Sequence, residues 1–251
     1  MDRPLADRAV LVTGASSGIG RAIAIATAHA GADVAITYRA NSDGARQVER
    51  EIAALGRRAV SLTLDLADDG SIRDVGPAAR DALGGLDVWI NNAGADILTG
   101  AVASLSAVER LDQLLRVDLR GTILASWQAV EMLPARGGVI INMSWDHVLT
   151  GMAGENPQMY AAVKGGILAF SKSLARSAAP RVRVNVLAPG WIETAFGANL
   201  DDARHREVAE STPLKRWGTP EDVAGAAVFL ASPAASFLTG QTLFIGGGAV
   251  M

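Results

Sequence analysis

The chain has 251 residues, 49% hydrophobic and 20% charged, with a net charge of -3. That length buries a sizeable core in one domain, residues 1–251, and with no block of Lys and Arg able to track a phosphate backbone it excludes a nucleic-acid partner. The absence of cysteine excludes disulfides and thiolate chemistry, and His29, His147 and His205 are too scattered in sequence to suggest a metal site. The N-terminus lacks a signal core and no apolar run reaches membrane-spanning length, so a soluble protein of the reducing cytoplasm is expected, with no membrane partner.

In chain order, residues 9–12 (Ala9-Val10-Leu11-Val12) predict a short buried strand, and Thr13-Gly14-Ala15-Ser16-Ser17-Gly18-Ile19-Gly20 follows it directly and opens into a helix over 21–30. Strand, glycine turn and helix in this order suit a dinucleotide: Gly14 permits the tight turn, Gly18 lets backbone approach a pyrophosphate, and Gly20 lets helix and strand pack closely. A second strand is expected over 33–37, with Tyr38 and Arg39 just beyond it, where such a fold meets the adenosine ribose. An acid there would favour the free 2′-hydroxyl. Arg39 instead favours a 2′-phosphate, and so NADP(H) over NAD(H), with Ser17, Asn41 and Ser42 placed to assist; the competing view makes Arg39 a solvated cation and recruits Asp43.

A helix over 43–55, a third strand over 59–64 ending at Asp65, a helix over 71–83 that contains Pro77, and a fourth strand over 86–90 come next. Asp65 either accepts from an adenine amino group or shares helix capping with Asp68. Asn91-Asn92-Ala93-Gly94 forms a small-residue turn at a strand's carboxyl end, where open parallel sheets bind ligands. Ser106-Ala107-Val108-Glu109 reads as a capping box that opens a long helix to 132, carrying Asp118. Gly137-Gly138 precedes a fifth strand over 139–143, which ends in Ser144-Trp145-Asp146-His147.

The next helix carries Tyr160 and Lys164, four positions apart and therefore on one face. An ammonium beside a phenol favours phenolate and is expected to lower its pKa, which makes Tyr160 a candidate proton donor. A sixth strand over 182–187 leads to Pro189-Gly190-Trp191-Ile192-Glu193-Thr194. The polar stretch 195–211 reads as irregular and as a substrate lid, Thr219-Pro220-Glu221-Asp222 caps a further helix, and 243–245 supplies a last strand.

Alternating strands and helices predict an α/β doubly wound parallel sheet, in three α/β/α layers. The motifs at 13–20, 91–94 and 160–164, Pro189-Gly190 through Thr194, and Leu238-Thr239-Gly240-Gln241 resemble, in order and spacing, the short-chain dehydrogenase/reductase family. The likeness covers nearly the whole chain and is nearest the compact members that include 3-oxoacyl carrier-protein reductases and glucose dehydrogenases. It implies a seven-stranded Rossmann fold and hydride transfer between a nicotinamide and a carbonyl or alcohol. Tyr160 is then the general acid/base, and Lys164 binds the nicotinamide ribose and depresses the tyrosine pKa. Gly14, Ser16, Ser17, Gly18, Ile19 and Gly20 form the pyrophosphate loop. Asn92, Ala93 and Gly94 line the cofactor, Asp65 and Leu66 meet the adenine, and Pro189, Gly190, Ile192 and Thr194 hold the carboxamide and pyrophosphate side. The resemblance also implies a homotetramer joined through the helices near 104–132 and 155–178 and the C-terminal strand.

Two positions depart from the family pattern. Asp118-Leu119-Arg120-Gly121 stands where an asparagine usually supports a water chain to the lysine; the aspartate can pair with Lys164, and its charge opposes phenolate formation. The alternative is that Asp118 only caps or kinks its helix. The usual Ser-Ser at the end of the fifth strand reads Ser144-Trp145, so the group that polarises a substrate carbonyl is Ser144, with Asp146 and His147 as alternatives. Trp145, His147 and Trp191 are expected to line the substrate pocket. The expected function is NADPH-dependent reduction of a ketone, or its reverse; the alternative is a nucleotide-binding regulatory or scaffold protein on the same fold with weakened catalysis.

Overall fold

In the computed structural model, which describes residues 3–194 and 201–250, seven short apolar runs pair side by side as parallel strands. They are β1 (Ala9–Val12), β2 (Asp33–Tyr38), β3 (Ala59–Thr63), β4 (Val88–Asn91), β5 (Gly138–Met143), β6 (Val182–Pro189) and β7 (Thr242–Ile245). The order across the sheet is β3-β2-β1-β4-β5-β6-β7. Every residue of β1, β4 and β5 is buried, as a parallel sheet covered on both faces demands. Strand order reverses between β1 and β4, where Val10 pairs with Val34 on one side and Val88 on the other. That break opens a crevice at the carboxyl ends of the strands.

The covering helices are α1 (Gly18–His29), α2 (Ser42–Ala54), α3 (Asp69–Leu83), α4 (Ala107–Leu114), α5 (Gly121–Met132), α6 (Glu155–Ala178), α7 (Asp202–Ser211) and α8 (Pro220–Ala231). On one face Ile23, Val48, Ile52, Val223 and Leu230 from α1, α2 and α8 bury against Val10, Val34 and Ile141. On the other, Ile72, Val75, Ala125 and Leu174 from α3, α5 and α6 close over Leu11, Trp89 and Ile140. The doubly wound, three-layer expectation is borne out.

Several local readings need correction. The long helix over 106–132 is not continuous: residues Leu115–Arg120 widen into a π-helical segment between α4 and α5, and this segment carries Asp118. The stretch 195–211 is not irregular throughout, since 202–211 form α7, with Asp201 accepting from Arg204 N at 2.8 Å as its N-cap. Residues 195–200, the rest of the expected lid, lie outside the described residues. Pro77 is accommodated within α3 because Gln128 Nε2 donates to the carbonyl of Arg73, the oxygen that the proline nitrogen would have served. Among the described residues no helix is long and apolar enough to cross a membrane.

A buried polar ladder stiffens the middle of the sheet. Trp89 Nε1 donates to Asn91 Oδ1 at 2.8 Å, Asn91 Nδ2 to Asn142 Oδ1 at 2.8 Å and to Ser126 Oγ at 3.0 Å, and Asn142 Nδ2 to Ser171 Oγ at 2.9 Å. Asn142→Ala takes from Asn91 Nδ2 one of its two acceptors and deprives Ser171 of a donor in a fully buried layer. An expected loss of about 1–3 kcal/mol follows, read as a lower urea midpoint at unchanged m-value.

Candidate active site

The glycine loop joins β1 to α1 in a conformation that only glycine takes easily. Gly14 has φ +63°, and a β-carbon there would sit 2.8 Å from Ala93 Cα. Gly18, at φ +54°, is different: a β-carbon would meet only Thr194 Cγ2, at 3.9 Å, so the space above it is open to an incoming group. Ser17 is the N-cap of α1 but its side chain makes no capping bond. The first N–H groups of the helix are therefore left to an anion.

The ends of β1 and β4 are tied together beneath this loop. Thr13 Oγ1 accepts from Asn92 N and Ala93 N, both at 2.9 Å, while Asn92 Nδ2 donates to the carbonyls of Thr13 at 3.0 Å and Gly14 at 3.1 Å. The side chain of Asn92 thus shapes the loop. Past β2, Arg39 is exposed and pairs with none of the described residues, whereas Asp43, the rival reading, is held by Arg46 in the first turn of α2. Asn41 caps α2 through Gly44 N at 3.0 Å. Asp65 accepts from Ala67 N at 2.8 Å, and Asp68 caps α3 through Gly70 N at 2.7 Å. Leu66 buries its side chain against Gly121.

The π-helical turn aims Asp118 inward, where both oxygens are engaged. Oδ1 accepts from Ala95 N at 2.7 Å and Oδ2 pairs with Lys164 Nζ at 2.8 Å. The Lys164 and Asp118 side chains are only 6% and 1% exposed. Burial works against the ammonium, but the charge of Asp118 and the hydrogen bonds offered by Asp118 and Tyr160 outweigh it and raise the Lys164 pKa. Its nitrogen also stands 5.2 Å from the Tyr160 ring centroid.

Tyr160, one turn before Lys164 on α6, is partly exposed toward the cleft. Its pKa lies above the ordinary tyrosine value: burial raises it, Lys164 lowers it, and the negative charge of Asp118 raises it again. This corrects the expectation of a lowered pKa. The lysine pulls in the expected direction but does not overcome burial and the aspartate.

At the end of β5, Ser144 is buried and donates through Oγ to the carbonyl of Lys164 at 2.8 Å. Trp145 lies edge-on to Tyr160, with ring centroids 5.4 Å apart, and stacks on His147 at 5.0 Å and 24°. His147 is fixed from behind, its Nδ1 2.5 Å from Asp146 Oδ1. Burial pushes the Asp146 carboxyl up, against a smaller opposing pull from His147. Its second oxygen has no hydrogen-bond partner and is wedged where β-carbons on Gly190 or Gly246 would stand 2.3 Å away.

These parts surround a cleft of about 660 Å³. Ile19, Asn92, Gly94, Pro189, Ile192 and Thr194 line it, together with Asp118, Ser144, Trp145, Tyr160, Lys164, Gly190 and Trp191. His147 is not on the cleft wall but supports Trp145, the wall itself. Trp217 and Asn156, whose Oδ1 is buried without a partner, are among the wall residues that had no sequence signal, while Arg204, also on the wall, lies in the stretch expected as a lid. Trp217 reaches the site through an aromatic train, edge-on to Trp191 at 5.5 Å and stacked on His205 at 4.8 Å. No group of three or more possible metal ligands occurs among the described residues.

Comparison with known proteins accords with this geometry. The family described as enoyl-(acyl carrier protein) reductase matches residues 14–250. The 3-oxoacyl-[acyl-carrier-protein] reductase of Aquifex aeolicus is 36% identical over 251 residues, covering 99% of each chain. A short-chain dehydrogenase from Burkholderia cenocepacia, solved in complex with NADP, superposes with a TM-score of 0.88 at 35% identity, over 98% of this chain and 99% of that one. A blue fluorescent protein from a metagenomic library, in complex with NADPH, has a TM-score of 0.88 at 33% identity, over 99% of this chain and 100% of its own. Glycine loop, switch-point crevice and relatives together define an NAD(P)-dependent oxidoreductase. The chain belongs to the short-chain dehydrogenase/reductase family.

Proposed function

We propose that the protein reduces a ketone to an alcohol with NADPH, or runs the reverse, with Tyr160 as general acid and base. The observation that carries this reading is the partly exposed Tyr160 in the cleft, backed by the buried Lys164–Asp118 pair. When bound, the nicotinamide nucleotide supplies the hydride that the carbonyl carbon accepts. As the C=O π pair moves onto oxygen, the Tyr160 hydroxyl gives that oxygen its proton, and the phenolate, steadied by Lys164, is reprotonated from solvent. The open space over Gly18 and the unspent N–H groups of α1, with Ser16 and Ser17, fit a pyrophosphate; Asp65 and the main chain at Leu66 would meet the adenine, and Lys164 the ribose.

The unpaired Arg39 at the end of β2 supports NADP(H) as the cofactor, as do the NADP and NADPH complexes of the two solved relatives. Arg39→Glu is expected to raise KM for NADPH by roughly 10- to 100-fold, the worth of a charge-assisted phosphate contact, and to leave KM for NADH within about twofold. Equal effects on both cofactors would overturn that role.

The assignment as a whole is tested by NADPH oxidation against 3-oxoacyl, quinone, sugar and steroid ketones. Ketone-dependent oxidation with alcohol as product is expected. The bond from Ser144 Oγ to the Lys164 carbonyl, with Trp145 where a serine is usual, favours a second reading: a nucleotide-binding regulatory or scaffold protein with weakened catalysis. NADPH binding without oxidation across the panel, and activity gained in Trp145→Ser, would favour that one. A cytoplasmic homotetramer completes the proposal, with α5 and α6 as one joining face, where Trp127, 53% exposed, meets Phe170 edge-on.

A further inference from the structure

Three of the five tryptophans in the chain, Trp145, Trp191 and Trp217, line the cleft into which Tyr160 opens. They are not loose surface rings. His147 covers one face of Trp145 at 5.0 Å and 24°, and Asp146 pins His147 through a 2.5 Å contact at Nδ1. Trp191 lies edge-on to His147 at 6.5 Å and to Trp217 at 5.5 Å, and Trp217 is 4% exposed with its Nε1 committed to the carbonyl of His205 at 2.9 Å. Trp145 also meets Tyr160 edge-on, 5.4 Å away, and borders the cleft.

Because Trp145 stands beside Tyr160, a ligand whose carbonyl oxygen meets the Tyr160 hydroxyl brings a substituent of that carbonyl next to the indole. An aromatic ring there gains offset-stacked or edge-to-face contact with rings already fixed in place, and it surrenders few rotors on binding. A straight alkyl chain of equal carbon number gains area but no ring complementarity, and it must freeze several torsions.

We infer that the cleft selects flat aromatic ketones, with the carbonyl borne directly on the ring, over straight-chain ketones, and that Trp145 sets this selectivity. The inference rests on the ketone-reductase reading above. The ring packs against Trp145, and Trp191 and Trp217 close the wall beyond it.

The test compares kcat/KM for acetophenone and 2-octanone, two ketones with eight carbons each, in the wild type and in Trp145→Ala and Trp145→Phe. Taking the ratio across variants cancels the intrinsic reactivity of the two carbonyls. The acetophenone to 2-octanone ratio is expected to fall by roughly tenfold in Trp145→Ala, the size of one aromatic pair, and to stay within about threefold of wild type in Trp145→Phe. An unchanged ratio in Trp145→Ala, with circular dichroism matching the wild type, overturns the inference; should that variant misfold, Trp145→Leu, which keeps apolar bulk without a ring, is read in its place by the same criterion.

Binding is measured apart from chemistry by calorimetry of both ketones on Tyr160→Phe loaded with NADPH. Tighter acetophenone binding supports the aromatic wall even if no ketone is turned over, in which case only the reductase reading fails. Equal or weaker acetophenone binding overturns the wall even if turnover is observed.

Discussion

Tyr160→Phe is expected to lower kcat for ketone reduction by about a thousandfold while NADPH binding stays nearly unchanged. Phenylalanine keeps the ring that abuts Trp145 at 5.4 Å and that stands 5.2 Å from Lys164 Nζ, so the wall and the ion pair persist. The single group removed is the hydroxyl that delivers the proton. Stopped-flow reduction measures the rate, and fluorescence titration with NADPH measures the binding. Retention of full activity would sink Tyr160 as the acid.

The second large effect concerns the pair beneath it. Lys164→Met leaves Asp118 buried without its cation, and a loss of about 3–5 kcal/mol in unfolding free energy is expected together with loss of activity. Adding Asp118→Asn removes the stranded charge and should recover most of the stability but none of the activity. Urea unfolding of the two single variants and the double variant closes the cycle. Recovery absent in the double variant would mean that the pair does not act as a unit.

Asp118→Asn alone carries a pH signature. Burial first, and then the Asp118 charge, hold the Tyr160 proton more tightly, against the pull of Lys164. Alcohol oxidation needs the phenolate and rises with pH through the tyrosine pKa, whereas ketone reduction needs the phenol and falls through it. Removing the aspartate charge lowers that pKa, so both limbs should move to lower pH. A profile that stays in place or moves upward would contradict the electrostatic account.

The parts of this molecule written in local pattern were legible without coordinates. β1 has the bounds that the sequence suggests, 9–12, because an apolar run bounded by charge is a local signal, and α6 has the bounds that the family resemblance implied, 155–178. The glycine loop and the Tyr160–Lys164 spacing are likewise contained within a few residues. What escaped depends on distant partners. The π-helical turn at Leu115–Arg120 has no composition of its own, and Asp118 meets Lys164 across 45 intervening positions. The sign of the Tyr160 shift turned on a burial that spacing does not encode. Trp217 enters the cleft only because Trp191 and His205 flank it in space. Helix α7 was hidden by the polar composition of 202–211, which buries only Val208 and so carries almost no amphipathic pattern.

The wedged carboxyl of Asp146 also bears on how such a site can arise. Alanine at either Gly190 or Gly246 would put a methyl carbon 2.3 Å from its unpartnered oxygen. A lineage that carries a side chain at either position cannot acquire this aspartate, and with it the clamp on His147, until both β-carbons are gone. Reversal is blocked in the same way for as long as the carboxyl stays. The constraint thus runs one way: the two glycines are held for as long as the carboxyl is present, and Asp146 has to change before either can.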